Sequence, residues 1–193
     1  MKIAVLALQG AFIEHIHVLK NLDVETVEIR KKSDFNDNFD GLIIPGGEST
    51  AIGKLLHDLD LFYDIKTAIE NGLPVFGTCA GLILLAKNIE NQTTKHFQTL
   101  DITIKRNAFG RQCDSFIINH SFDGKLVDMI LIRAPYISDV GEKVTILSEY
   151  DGKILAVRQG NQLGVAFHPE LTNDDTIHQY FINMIIEKIE LQK

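Results

Sequence analysis

The chain has 193 residues, of which 45% are apolar and 23% charged. That composition can bury one core and the length suits one domain, 1–193, so neither a disordered nor a fibrous chain fits. With 19 Lys and Arg against 26 Asp and Glu, the net charge is −7; with no basic run in the sequence, binding to nucleic acid or to an anionic membrane is not expected.

The longest apolar stretches, such as 3–8 and 82–86, fall far short of the roughly 18 residues that cross a bilayer. Met1-Lys2 and the apolar residues after them faintly imitate a signal peptide. Gln9-Gly10 interrupts that pattern, Glu14 follows, and no small-residue cleavage site is present, so the segment reads as a first strand. Two cysteines, Cys79 and Cys113, make neither a disulfide framework nor a CxxC metal site and fit a reducing cytoplasm. Their spacing alone leaves a pairing between them open.

The apolar run 3–8 followed by helical spacing over 11–22 (Phe12, His15, Ile16, Leu19) predicts a strand feeding a helix. The rhythm continues with strands over 26–30 and 41–44, helices over 51–56 and 62–71, a strand over 74–77 and a helix over 80–88. Continuous apolar strands alternating with helices predict a parallel sheet covered on both faces. From residue 100 the texture changes to alternating strands at 101–105, 116–119, 129–133, 143–150, 153–159 and 162–167, read as an antiparallel extension of the sheet. Asp151-Gly152 and Gly160-Asn161 sit at hairpin spacing, which predicts a meander of the last three strands. A final helix over 174–191 carries Ile177, Tyr180, Phe181, Met184, Ile185 and Ile189 on one stripe.

Residues 74–82 form an apolar strand ending in Gly77-Thr78-Cys79-Ala80-Gly81 and opening a helix, the pattern of a nucleophile elbow. An arbitrary cysteine is more often a small buried hydrophobe. The glycine frame reverses that preference, and a helix N-terminus behind Cys79 favours a thiolate. Among seven histidines the best base is His168, at a predicted strand end, with Glu170 two residues on and therefore on the same side of an extended segment. Standing alone, this pair reads equally well as a strand-end histidine beside a helix-capping acid, and gains weight only with Cys79. Pro45-Gly46-Gly47-Glu48-Ser49-Thr50 runs from a strand into a helix; in isolation it reads as a tight turn and cap. Joined to a nucleophile, N–H groups from Ala80 and from the Gly46-Gly47 pair suit an oxyanion. His15 and His17 face apart on a helix, which makes them a poor metal pair. Arg106 and Arg133, closing two strands, are candidates for holding a carboxylate. Cys113, without an elbow, reads as structural.

The Gly77–Gly81, Pro45–Thr50 and His168-Pro169-Glu170 motifs resemble those of the class I (triad) glutamine amidotransferases. Leu8-Gln9-Gly10 with Glu14-His15, the stretch 106–116, and Ile132-Arg133-Ala134-Pro135 narrow the resemblance to the glutaminase subunits of pyridoxal 5'-phosphate synthase, across essentially the whole chain. Cys113 departs from the expected aliphatic residue. The resemblance implies a three-layer α/β, flavodoxin-like fold with a mixed, mostly parallel sheet flanked by helices. It implies hydrolysis of L-glutamine without cofactor or metal, and ammonia transfer to a synthase subunit that makes pyridoxal phosphate. Cys79, His168 and Glu170 take the triad positions, Gly47 and Ala80 the oxyanion hole, and Gly47, Glu48, Ser49, Arg106, Ile132 and Arg133 the glutamine site. It also implies glutaminase activity that depends on the partner, for which the Gly46-Gly47 peptide is a candidate switch. The alternatives are the glutaminase of another biosynthetic amidotransferase, such as imidazole glycerol phosphate synthase, a cysteine hydrolase of a related elbow family, and a non-catalytic binding module on the same fold.

Overall fold

A computed structural model of the chain describes residues 1–36, 39–106 and 115–191. Strands β1 (Lys2–Leu6), β2 (Glu25–Ile29), β3 (Gly41–Ile44) and β4 (Val75–Thr78) alternate with helices α1 (Phe12–Asn21), α2 (Ser49–Asp58), α3 (Phe62–Glu70) and α4 (Ala80–Leu85). Ile3, Ala4 and Val5 of β1, Leu42, Ile43 and Ile44 of β3, and Val75 and Phe76 of β4 have no solvent exposure. Strands apolar on both faces stay in the interior only if layers cover both sides, and this is why the runs lack alternation.

The second half holds β5 (Ala86–Ile89), β6 (Leu100–Lys105), β7 (Ser115–Phe122), β8 (Lys125–Ile132), β9 (Tyr136–Val140), β10 (Thr145–Tyr150), β11 (Lys153–Gln159), β12 (Gln162–Val165) and the final helix α5 (Thr176–Leu191). The main sheet runs β2-β1-β3-β4-β12-β11-β9-β6-β5, with β10 paired to β11. Its first five strands are parallel. The predicted meander forms, since β10, β11 and β12 pair antiparallel through two-residue turns. Asp151 (φ +50°) and Gly152 (φ +67°) supply the two positive angles that a tight hairpin of the sheet's twist requires.

Three departures from the sequence reading have physical reasons. The helix expected over 80–88 stops at Leu85, and Ala86–Ile89 becomes a strand parallel to β6. Residues 82–86 are apolar throughout and so carry no period, and pairing with β6 decides the outcome. The strands expected at 116–119 and 129–133 do not extend the main sheet: β7 and β8 form a separate two-stranded ribbon. Strand β9, unpredicted because Pro135 and the polar Ser138 and Asp139 dilute its pattern, bridges β11 and β6. Most of the diagnostic stretch 106–116, and with it Cys113, lies outside the described residues.

Close backbone packing fixes where α4 sits. A Cβ placed on Gly81 would fall 1.9 Å from the carbonyl oxygen of Ile44 in β3. Main chain has no rotamer with which to retreat, so Gly81→Ala is expected to cost at least about 3 kcal/mol, the upper end for overpacking. The shift in urea midpoint at unchanged slope measures it.

Candidate active site

The strand-to-helix turn at the end of β4 holds Cys79 at φ +46° and ψ −96°, a conformation L residues rarely adopt. Such a backbone costs about 1–3 kcal/mol and persists only where its surroundings hold it. Here the Cys79 N–H donates to the Val165 carbonyl at 2.8 Å, fastening the elbow to the end of β12. The two framing glycines allow strand and helix to touch: a Cβ on Gly77 would meet the Gly81 carbonyl carbon at 2.7 Å. Cys79 is a free thiol, 8% exposed.

Because β4 and β12 are parallel neighbours in register (Thr78 opposite Val165), the chain leaving β12 carries His168 past the elbow. His168 and Glu170 do not lie on an extended segment as the sequence suggested. His168 caps a 3₁₀ turn, Pro169–Leu171, which folds the carboxylate back onto the ring. The result is the expected pairing by a different route, with Nδ1 donating to Glu170 Oε1 at 2.7 Å. The backbone N–H of His168 is held by the Ile130 carbonyl of β8 at 2.8 Å. Burial disfavours the charged ring, but hydrogen bonds to the Cys79 sulfur and to Glu170, with their charges, outweigh it and raise the His168 pKa from 6.5 to about 10.

The opposite wall comes from the end of β3. A Cβ on Gly46 would lie 2.4 Å from His168 Cε1, so only glycine admits the imidazole here. The Gly46 carbonyl accepts from the Ala11 N–H at 2.9 Å, and the Glu48 N–H donates to Gln9 Oε1 at 2.8 Å. Among the described residues, neither the Gly47 nor the Ala80 N–H finds an acceptor. Arg106 reaches Glu48 across 3.3 Å. The buried Ser49 hydroxyl has no partner among the described residues. These groups surround a cavity of about 540 Å³ lined by Gly47, Glu48, Ser49, Cys79, Ala80, Arg106, Ile132, Arg133 and His168, together with Gln9, Ile83 and Pro135. Of the residues the resemblance places in the triad, the oxyanion hole and the glutamine site, all line it except Glu170, which stands behind His168; Gly46, the other half of the glycine pair, is not among the lining residues. Arg133 is held at φ +42°.

Sequence reasoning missed the groups behind Glu170. His15, set aside as one of a poor metal pair, is fully buried. Its Nδ1 is 2.9 Å from His178 Nε2, and its Nε2 is 3.2 Å from Thr78 Oγ1 and 3.5 Å from Glu170 Oε2. Burial pushes His178 down to about 4 and His15 well below the usual range; for His15 the neighbouring His178 and His168 add to the effect. His15 and His17 do face apart, the latter exposed. Among the described residues no cluster fit for a metal ion occurs, and no helix is long and apolar enough to cross a membrane.

The titrations oppose each other. His168, raised when folded, stabilises the fold fully below about pH 6.5 and loses this contribution as pH rises toward 10. His178, lowered when folded, contributes above about pH 6.5 and loses this as pH falls toward 4. The stability advantage of wild type over His168→Asn should therefore shrink steadily between pH 6.5 and 10, as chemical denaturation at a series of pH values would record.

The model of the SNO glutamine amidotransferase family matches residues 5–187. The chain is 52% identical over 186 residues to the pyridoxal 5'-phosphate synthase subunit PdxT of Desulfitobacterium hafniense, covering 96% of this chain and 94% of that one. It is 55% identical over 186 residues to the protein of the same name from Methanocorpusculum labreanum, with 96% and 98% covered. A crystal structure of a glutamine amidotransferase superimposes with a TM-score of 0.90 at 41% identity, covering 95% of this chain and 98% of that chain. A family match over nearly the whole length, an elbow cysteine and a histidine–carboxylate pair facing one cavity all agree: this chain belongs to the SNO glutamine amidotransferase family.

Proposed function

We propose that this chain is the glutaminase component of a pyridoxal 5'-phosphate synthase, hydrolysing L-glutamine to L-glutamate and ammonia and passing the ammonia to the synthase subunit. The observation that carries the reading is the line Cys79, His168, Glu170, with the cysteine on a strained elbow at the wall of a cavity roomy enough to admit glutamine. The high identity to relatives bearing the synthase-subunit name supports the partner. A free thiol nucleophile suits a reducing compartment, and the cytoplasm is the proposed location.

The chemistry follows from the charges. In the attacking step the Cys79 sulfur, its proton passed to the adjoining His168 ring, adds to the side-chain amide carbon of glutamine. As the tetrahedral intermediate collapses, the C–N bond breaks and His168 gives its proton to the departing ammonia. The now neutral ring takes a proton from water, the hydroxide attacks the thioester, and the C–S bond breaks to release glutamate. Glu170 holds the ring with Nε2 toward the sulfur throughout. The N–H groups of Gly47 and Ala80 receive the oxyanion. Glutamine is a zwitterion in its backbone portion, and Glu48 with Arg106 and Arg133 offer both signs of charge at the cavity wall. Ser49 and Ile132 complete the pocket.

The Gly46-Gly47 peptide is the proposed switch. Its carbonyl is tied to Ala11 at the entry to α1 and the next N–H is tied to Gln9, so the Gln9–Ala11 segment controls its orientation. Glycine pairs rotate between backbone regions at little cost, so a partner that moves this segment turns the oxyanion donor toward the substrate. A glutaminase assay with and without the synthase subunit tests both ideas. Activity should rise with partner, vanish in Cys79→Ala, and fall at least about 10³-fold in His168→Asn. Full activity in the isolated chain would remove the switch, and full activity in Cys79→Ala would remove the mechanism.

A further inference from the structure

We propose that His15 and His178, buried behind the triad, are positioning residues: a hydrogen bond ties His178 of α5 to His15 of α1, and His15 Nε2 sits against the Glu170 carboxylate that holds the catalytic histidine. This rests on the triad reading above.

The carboxylate defines the order. Glu170 Oε1 is taken by His168, while Oε2 is buried with no hydrogen bond of its own and has His15 Nε2 as its neighbour at 3.5 Å. A lone pair on His15 Nε2 would face an anionic oxygen, so that nitrogen carries the proton. Its N–H then points at Glu170 and the Thr78 hydroxyl, 3.2 Å away. A neutral imidazole has one N–H only, so His15 Nδ1 is an acceptor and His178 Nε2 must donate to it across 2.9 Å. The remaining lone pair, on His178 Nδ1, is the one ring atom of the pair left without a partner among the described residues. One charge thus dictates both tautomers.

Packing locks the rings in place. Phe76 of β4 meets His15 and His178 edge-on, with centroids 5.9 and 5.7 Å away. The ionisable groups facing this chain are His168 and Glu170 from the turn after β12 and Cys79 from the elbow, with His15 from α1 and His178 from α5. Two neutral dipoles in a dry interior orient a carboxylate without neutralising it. A cationic neighbour would compete with His168 for Glu170. The same helix α1 begins at the Ala11 amide that holds the Gly46 carbonyl, so one element supports the triad acid and the oxyanion loop together.

The test uses the complex with the synthase subunit and compares His15→Gln, His15→Asn and His15→Leu. A glutamine places its amide nitrogen where Nε2 stood and keeps the donor toward Glu170, whereas asparagine mimics Nδ1 and is too short to reach it. Expected is a kcat near wild type for His15→Gln and a loss of about 10²-fold for His15→Asn and His15→Leu, with KM changed less than about twofold. In the ¹⁵N-labelled subunit, the downfield Nδ1 proton of His168 should persist in His15→Gln and broaden or shift upfield in the other two. Equal kcat in Gln and Asn variants, or a loss carried by KM, would overturn the proposal, and should the Leu variant fail to fold the Gln and Asn pair decides alone. Cys79→Ala in the same assay separates the readings. If it is inactive while all three His15 variants match wild type, only the positioning role fails; if it is active, the triad itself is wrong.

Discussion

Parallel pairing of β4 with β12 is the constraint on which the site depends. These strands lie 84 or more residues apart in sequence, and nothing local brings Cys79 near His168. Once Thr78 pairs with Val165, the next residue on one strand is the elbow cysteine and the chain beyond the other carries the histidine. The hydrogen bond from the Cys79 amide to the Val165 carbonyl closes this junction and helps hold the unfavourable backbone angles of the elbow. Both strands end at the same edge of the sheet, where an open α/β architecture places its ligands.

Around that junction, burial is used in two opposite ways. His168 is kept charged against desolvation because a sulfur and a carboxylate adjoin it. His15 and His178, equally removed from water, have no anion in full hydrogen-bond contact and stay neutral. The interior therefore carries one compensated ion pair with a polar but uncharged support, the arrangement in which a buried charge costs least. Glycine does the steric work, since Gly46 yields its side-chain space to the imidazole and Gly81 lets α4 approach β3.

The parallel half of the fold was legible because its strands are continuous apolar runs and its helices are striped. Residues 41–44 and 153–159 have the predicted bounds. What escaped depended on partners distant in sequence. Ala86–Ile89 is a strand only because β6 lies beside it, and β7 with β8 alternate well without revealing that their partner is each other alone. The elbow, the glycine pair and the histidine–carboxylate motif were readable as chemistry since short spacing sets their geometry. His15 and His178 were not, although each sits on the apolar stripe of its helix, next to Ile16 and Ile177. A polar residue on a buried stripe is the signal, and it shows that something buried answers it without saying what. Gln9 was overlooked as a site residue for a related reason: its role is to hold a backbone amide, which no side-chain motif encodes.

The central claim is that Cys79 forms a covalent bond to the substrate carbon. Acid-quenching the complex with its synthase subunit during turnover of glutamine, followed by mass spectrometry of the peptide bearing Cys79, tests this directly. A γ-glutamyl group on Cys79, present during turnover and absent once glutamine is consumed, is the predicted result. Steady turnover with Cys79 unmodified, or an acyl group carried by a different residue, would contradict it.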